Sequence, residues 1–109
     1  MLDIIIPSYN DLTGLCHSLN SFGPYIDLSK VHLYIIDDAS TLITHDDYSA
    51  LSEHYAYLNP TILYLSANHG PGYVRQYGIE HTTAPYLFFL DCGNLLASPL
   101  VINNLISSI

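Results

Sequence analysis

The sequence predicts a three-layer α/β/α domain built on a mainly parallel sheet of about four strands. Three observations carry this. Short apolar runs alternate with stretches of helical spacing along the 109 residues. The apolar runs are continuous rather than alternating, the pattern of strands buried on both faces. Turn-forming residues mark the junctions, and no internal repeat, low-complexity tract or linker interrupts the order. Strands alternating with helices in this way form a Rossmann-like sheet with right-handed crossovers and helices on both faces.

Leu2 to Ile6, closed by Pro7, reads as the first strand. Asn10 or Asp11 can cap the helix that follows. Its face is Leu12, Leu15, Cys16 and Leu19, and Gly23-Pro24 ends it. Val31 to Ile36 is the second strand, stopped by Asp37-Asp38. Asp46 and Asp47 suit the start of the second helix, where the backbone dipole favours anions. Leu51, Tyr55 and Leu58 form its apolar face, and Asn59-Pro60 stops it. Ile62 to Leu65 is the third strand. Pro71 opens a third helix that runs to about Thr83. Tyr86 to Leu90 is a fourth, fully apolar strand that reads as buried. Ser98-Pro99 opens a last helix with the face Ile102, Leu105, Ile106 and Ile109.

Composition excludes several functions. The formal net charge is −8, with two cationic side chains in all, Lys30 and Arg75. Nucleic-acid binding and adhesion to anionic membranes both need clustered cations. No segment reaches the ~18 apolar residues of a membrane span, and the N-terminus lacks the basic region of a signal peptide. Cys16 and Cys92 have no metal or redox spacing, so they read as reduced thiols in a cytoplasmic protein. Half of the residues are hydrophobic and only 11% are charged. That surplus predicts apolar surface covered by self-association, by a partner chain or by a further part of the protein.

In open parallel sheets, ligands bind beyond the carboxyl ends of the strands. All four strand ends here carry a polar or glycine-rich loop. In Pro7-Ser8-Tyr9-Asn10, the tyrosine can stack on a flat base or simply pack. The pair Asp37-Asp38 can accept from a base or a ribose, or cap a helix. In Asn68-His69-Gly70-Pro71-Gly72, glycines and helix-start amides suit a phosphate, and Arg75 follows. Arg75 has either an anionic ligand or an aspartate partner. Asp91-Cys92-Gly93-Asn94 offers a carboxylate suited to a divalent cation, or a helix cap, with Asn94 as a weak neutral oxygen donor. The six histidines lack metal-ligand spacing.

In order and spacing, these loops resemble those of family 2 glycosyltransferases, which have the GT-A fold. The matching stretches run from Ile4 to Asn10, from Tyr34 to Ser40, from Asn68 to Ile79 and from Phe88 to Asp91. The resemblance implies that residues 1–109 form one nucleotide-diphospho-sugar-binding domain, the N-terminal half of such an enzyme and truncated. It implies that Pro7, Ser8 and Tyr9 line a base pocket. Asp37 and Asp38 would contact base and ribose, with Asp38 against uracil. Gly70, Gly72 and Arg75 would sit near the nucleotide and its phosphates. Asp91 would begin the D-x-D motif that holds Mn²⁺ or Mg²⁺ on the diphosphate of a UDP-sugar donor. The acceptor, a sugar or a protein, is undefined. The motif departs from the family pattern, reading Asp91-Cys92-Gly93. No residue matches the family's catalytic base. The expected function is therefore sugar transfer from a nucleotide sugar, and the alternative is an inactive half-domain that binds nucleotide or serves assembly. A receiver-like fold with an acidic pocket ranks last, because it leaves the first and third loops unexplained.

Overall fold

The computed structural model describes residues 1–24 and 26–109. Its strands are β1 (Leu2–Ser8), β2 (Val31–Asp37), β3 (Thr61–Tyr64) and β4 (Tyr86–Phe89). Its helices are α1 (Leu12–Asn20), α2 (His45–His54), α3 (Pro71–His81) and α4 (Leu100–Ser108), with a short 3₁₀ turn at Ala56–Leu58. The sheet is fully parallel in the order β3-β2-β1-β4. The chain moves outward from β1 to β3 and then returns to the other side of β1. That reversal leaves a crevice between the carboxyl ends of β1 and β4.

Alternation along β1 builds the layers. Ile4 and Ile6 point to one face, with Leu15 and Leu19 of α1, Leu51 of α2 and Ile102 of α4. Ile5 points to the other face, with Ile36 and Val74 of α3. All of these except Leu51 and Ile102 are wholly buried, and those two nearly so. Gly78 brings α3 close to the sheet: a Cβ there would lie 2.7 Å from Cδ1 of Ile5.

Most element boundaries lie within two residues of the expected ones, but α2 stops at His54, so that Tyr55 caps it and Leu58 of its expected face falls in the 3₁₀ turn; one of the smaller differences is informative. β1 continues through Pro7, which lacks an N–H. Leu2 N donates to Lys30 O on the β2 side, and Ser8 O accepts from Asp38 N on that side. Ile5 O accepts from Leu90 N on the β4 side. Alternation therefore turns Pro7 toward β4, just where that ladder ends, and no donor is missed. The proline allows β1 and β4 to part at the crevice.

Two expectations are corrected. β4 is not a buried strand: it is the edge of the sheet, and Tyr86 and Phe89 are exposed. Ile109 does not join the apolar face of α4. It follows the last helical residue and is half exposed, while Ile102 is buried.

Candidate functional site

A cavity of about 500 Å³ opens at the crevice, within the usual range for small-molecule sites. Its wall comes from every strand-end loop: Pro7, Ser8, Tyr9 and Asp11 after β1, Asp38 after β2, Asn68 to Arg75 in part before and within α3, and Asp91 with Cys92 after β4. Each of these loops contains one residue with left-handed backbone: Asn10 (φ 51°), Ala39 (φ 58°), Gly70 (φ 89°) and Gly93 (φ 93°). Glycine adopts this conformation at little cost, whereas Asn10 and Ala39 hold it with a side chain, a strain of the kind that concentrates at functional sites.

The first two loops are tied together. Asn10 Oδ1 accepts from Thr41 N (2.8 Å) and Leu42 N (2.9 Å), and Asn10 N donates to Ser40 Oγ (2.9 Å). Asparagine tolerates left-handed backbone, so one residue both turns the chain and bridges the loops. Asp11, not Asn10, caps α1, accepting from Gly14 N at 2.9 Å. Tyr9 is exposed at the cavity wall, with its ring open to a stacking partner.

The paired aspartates separate. Asp37 turns into the interior, where it accepts from Tyr48 OH (2.7 Å) and Ser40 N (3.2 Å). Tyr48 OH lies 2.9 Å from Ser8 Oγ. Because the phenol has one proton and gives it to Asp37, Ser8 donates to Tyr48. Burial pushes the Tyr48 phenol well above the ordinary tyrosine value. Asp37 is not on the cavity wall, whereas Asp38 is. Asp38 Oδ1 accepts from His69 N (2.9 Å), and Oδ2 accepts from Gly70 N (2.8 Å) and Asn68 Nδ2 (3.1 Å). A carboxylate offers about four acceptor positions, so roughly one remains for a ligand.

Arg75 and Asp91 meet across the cavity in an ion pair of 2.5 Å. Of the two partners the sequence leaves open for Arg75, the structure shows the aspartate. After Asp91, Ser18 secures the loop: its hydroxyl accepts from Gly93 N (2.9 Å) and donates to Asn94 O (2.7 Å). Asn94 is exposed and off the cavity wall. The Cys92 thiol is pushed up to about 12 by burial and by nearby Asp11, which keeps it protonated. Gly70 and Gly72 both face open space, with nothing within 4 Å of an added Cβ. Asp11 and Cys92 lie in strand-end loops that the sequence marks, without an assigned ligand role, whereas nothing in the sequence places Tyr48 behind the site. Of the role of Asp11, only the cap position was legible.

The sequence profile of glycosyl transferase family 2 matches residues 3–98. The chain belongs to this family. No curated protein sequence matches this glycosyltransferase-family chain. Among solved structures, S. aureus TarS 1-349 in complex with UDP-GlcNAc superposes with a TM-score of 0.82 at 19% identity, covering 97% of this chain and 30% of that one. The mannosyltransferase PcManGT from Pyrobaculum calidifontis, in complex with GDP-Man and Mn²⁺, superposes with a TM-score of 0.78 at 20% identity, covering 94% and 30%. This family 2 chain thus has the GT-A fold and spans about 30% of the length of these two structures. Among its described residues, no helix is long and apolar enough to cross a membrane.

Its donor set fits a divalent ion only in part. Among the described residues, no group of three or more His, Cys, Asp or Glu could hold a metal alone. Asp91 supplies one carboxylate at the cavity. Gly93, two residues on, adds no carboxylate and sits at φ 93°, a conformation side chains rarely adopt. An ion here fits if phosphate oxygens complete its shell, as is usual for Mg²⁺ in nucleotide sites.

Proposed function

We propose that this family 2 chain binds a nucleoside-diphosphate sugar, a UDP-sugar, in the crevice between β1 and β4 for transfer of the sugar to an acceptor hydroxyl. The observation that carries this reading is the convergence of all four strand-end loops on one cavity. In the proposed pose, Tyr9 stacks on the base and the remaining acceptor position of Asp38 takes a uracil N–H. Pro7 and Ser8 complete that wall, and Asp37 acts behind it through Tyr48 and Ser8. Gly70 and Gly72 let the diphosphate approach the first amides of α3, with Arg75 beside it. A bound Mn²⁺ or Mg²⁺ on Asp91, with Asn94 as a weak additional oxygen, would offset charge on the departing diphosphate. A second reading, a nucleotide-binding module without transfer, is favoured by Gly93, which leaves the metal motif one carboxylate. Titration calorimetry with UDP and Mn²⁺, with GDP in parallel, tests the donor site. Measurable UDP binding is expected, and no heat with no shift in Tm would overturn it. Under the second reading, purified residues 1–109 release no free sugar-transfer product from UDP-sugars, and turnover would reject that reading.

Gly72 gives a sharper test. With open space around it and helical backbone, Gly72→Ala should stabilise the free chain by about 0.5 kcal/mol. If that space receives the diphosphate, UDP affinity falls at least fivefold in the same variant. A raised Tm with unchanged affinity would remove Gly72 from the site.

The free thiols of Cys16 and Cys92 support a reducing compartment, and we assign the chain to the cytoplasm. The exposed edge of β4, with Tyr86 and Phe89, supports self-association. Light scattering should show mass rising with concentration, and a monomer throughout would exclude it.

A further inference from the structure

We propose that a second cavity, at the amino ends of the strands, binds a small zwitterion of the amino-acid kind. It opens between the starts of β1 and β2 and the turn that enters β4, at the opposite end of the sheet from the donor crevice. Its volume is about 330 Å³, enough for a ligand of that size. It shares no lining residue with the crevice, so the two sites stand or fall independently.

Asp3 is the residue that the fold leaves unexplained. It is the second residue of β1, lines this cavity and is only 5% exposed. Its Oδ2 accepts from Ala84 N (3.1 Å), which ties the turn before β4 to β1. Its Oδ1 has no donor among the described residues. No sealed polar side-chain atom among them lacks a partner, so Oδ1 opens to the cavity. Bracing the turn needs an acceptor, which a neutral side chain would supply as well. It does not need a charge, and a buried carboxylate with one neutral donor is poorly compensated. The wall around Oδ1 suits an ammonium. His32, the register partner of Asp3, stacks on Tyr34 with ring centroids 4.2 Å apart, and its Nε2 lies 2.7 Å from Thr61 Oγ1. Burial and the charge of Asp3 both raise the Tyr34 phenol, which puts that ring close to the carboxylate. Aromatic surface beside a carboxylate is a common setting for a bound ammonium. Lys30 lines the same cavity, is exposed, and makes no ion pair with Asp3. An amine alone would be repelled by Lys30, and an anion alone by Asp3. A molecule that carries both charges meets each with its opposite. Leu2, Leu28 and Pro85 add apolar wall, so an aliphatic side chain completes the fit. Because Asp3 is buried and Lys30 exposed, the ammonium end contributes more.

The test titrates the whole chain with L-leucine, with isoamylamine (the same skeleton without the carboxylate) and with isocaproate (the same skeleton without the ammonium). NMR shifts of the Val31 and Ala84 amides report binding. Leucine should saturate with a Kd of roughly 1 mM. Each single-charge analogue should bind about fivefold more weakly or worse. Asp3→Asn keeps an oxygen for Ala84 N and should weaken leucine about tenfold. Lys30→Gln, at an exposed position, should weaken it about threefold. No saturable shift with leucine would overturn the site. Isoamylamine binding as tightly as leucine would overturn the zwitterion, as would wild-type leucine affinity in Asp3→Asn. If Asp3→Asn fails to fold, Lys30→Gln decides, and unchanged leucine affinity in that variant rejects the proposal.

Discussion

Asp38→Asn is expected to lower the stability of the free chain by about 2 kcal/mol and to weaken UDP binding at least tenfold. The carboxylate is only 3% exposed and accepts from His69 N, Gly70 N and Asn68 Nδ2. Asparagine retains one oxygen. Its amide nitrogen is a donor, so whichever way the side chain is turned, at least one backbone N–H of the loop then faces another donor. A buried amide left without an acceptor costs about 1–3 kcal/mol. The loop that opens α3 should loosen, and with it the wall that holds the diphosphate. A residue that only touched the base would leave the empty protein unchanged. Chemical denaturation without nucleotide and hydrogen exchange at the Gly70 amide therefore separate the two roles. Wild-type stability with impaired UDP binding would show that Asp38 acts on the ligand alone.

The same residue shows what the sequence made legible. Hydrophobic runs and their breakers located the four strands, the four helices and the strand ends where Asp38, Gly70 and Asp91 lie. These are local signals, set by which side chains pack within one strand or one turn. The carboxylate of Asp38, by contrast, is bonded to residues thirty or more positions away. Nothing in the pattern near Asp38 reports that the third loop will fold over it. β4 departs from its expected burial for a related reason. An apolar run of four or five residues looks alike in a central and an edge strand, and strand order is decided by which side of β1 the crossover from β3 reaches. Asn10 bridging to Thr41 and Leu42, and Ser18 holding the loop after Asp91, are further cases where distant segments meet. The choice between ligand and aspartate for Arg75 could not be made from spacing, because it depends on the distance across the crevice.

Tyr48→Phe removes one oxygen from the support behind the site and is expected to cost about 2–3 kcal/mol, a fall in Tm of roughly 10 °C. Tyr48 is fully buried, and its sequence neighbourhood marked it only as one of ten tyrosines. Its hydroxyl is the short contact to buried Asp37, whose other partner, Ser40 N, lies at 3.2–3.3 Å. Phenylalanine keeps the packing, so cavity formation does not contribute. The loss comes from a carboxylate deprived of its best donor and from Ser8, deprived of its acceptor. The pH dependence gives an independent readout. Burial raises the phenols of Tyr48, Tyr34 and Tyr64 above the ordinary value and lifts Tyr55 to about 12. The unfolded chain releases these protons near pH 10, before the folded chain does. Stability from these groups is therefore complete below about pH 10 and declines as the pH rises toward the folded values. Tyr48→Phe should lower the plateau near neutral pH and make the alkaline decline shallower. Equal losses at neutral and alkaline pH would mean that the Tyr48 phenol is not held protonated by burial. A variant as stable as wild type at neutral pH would mean that Asp37 and Ser8 find other partners, and that the base wall does not depend on this network.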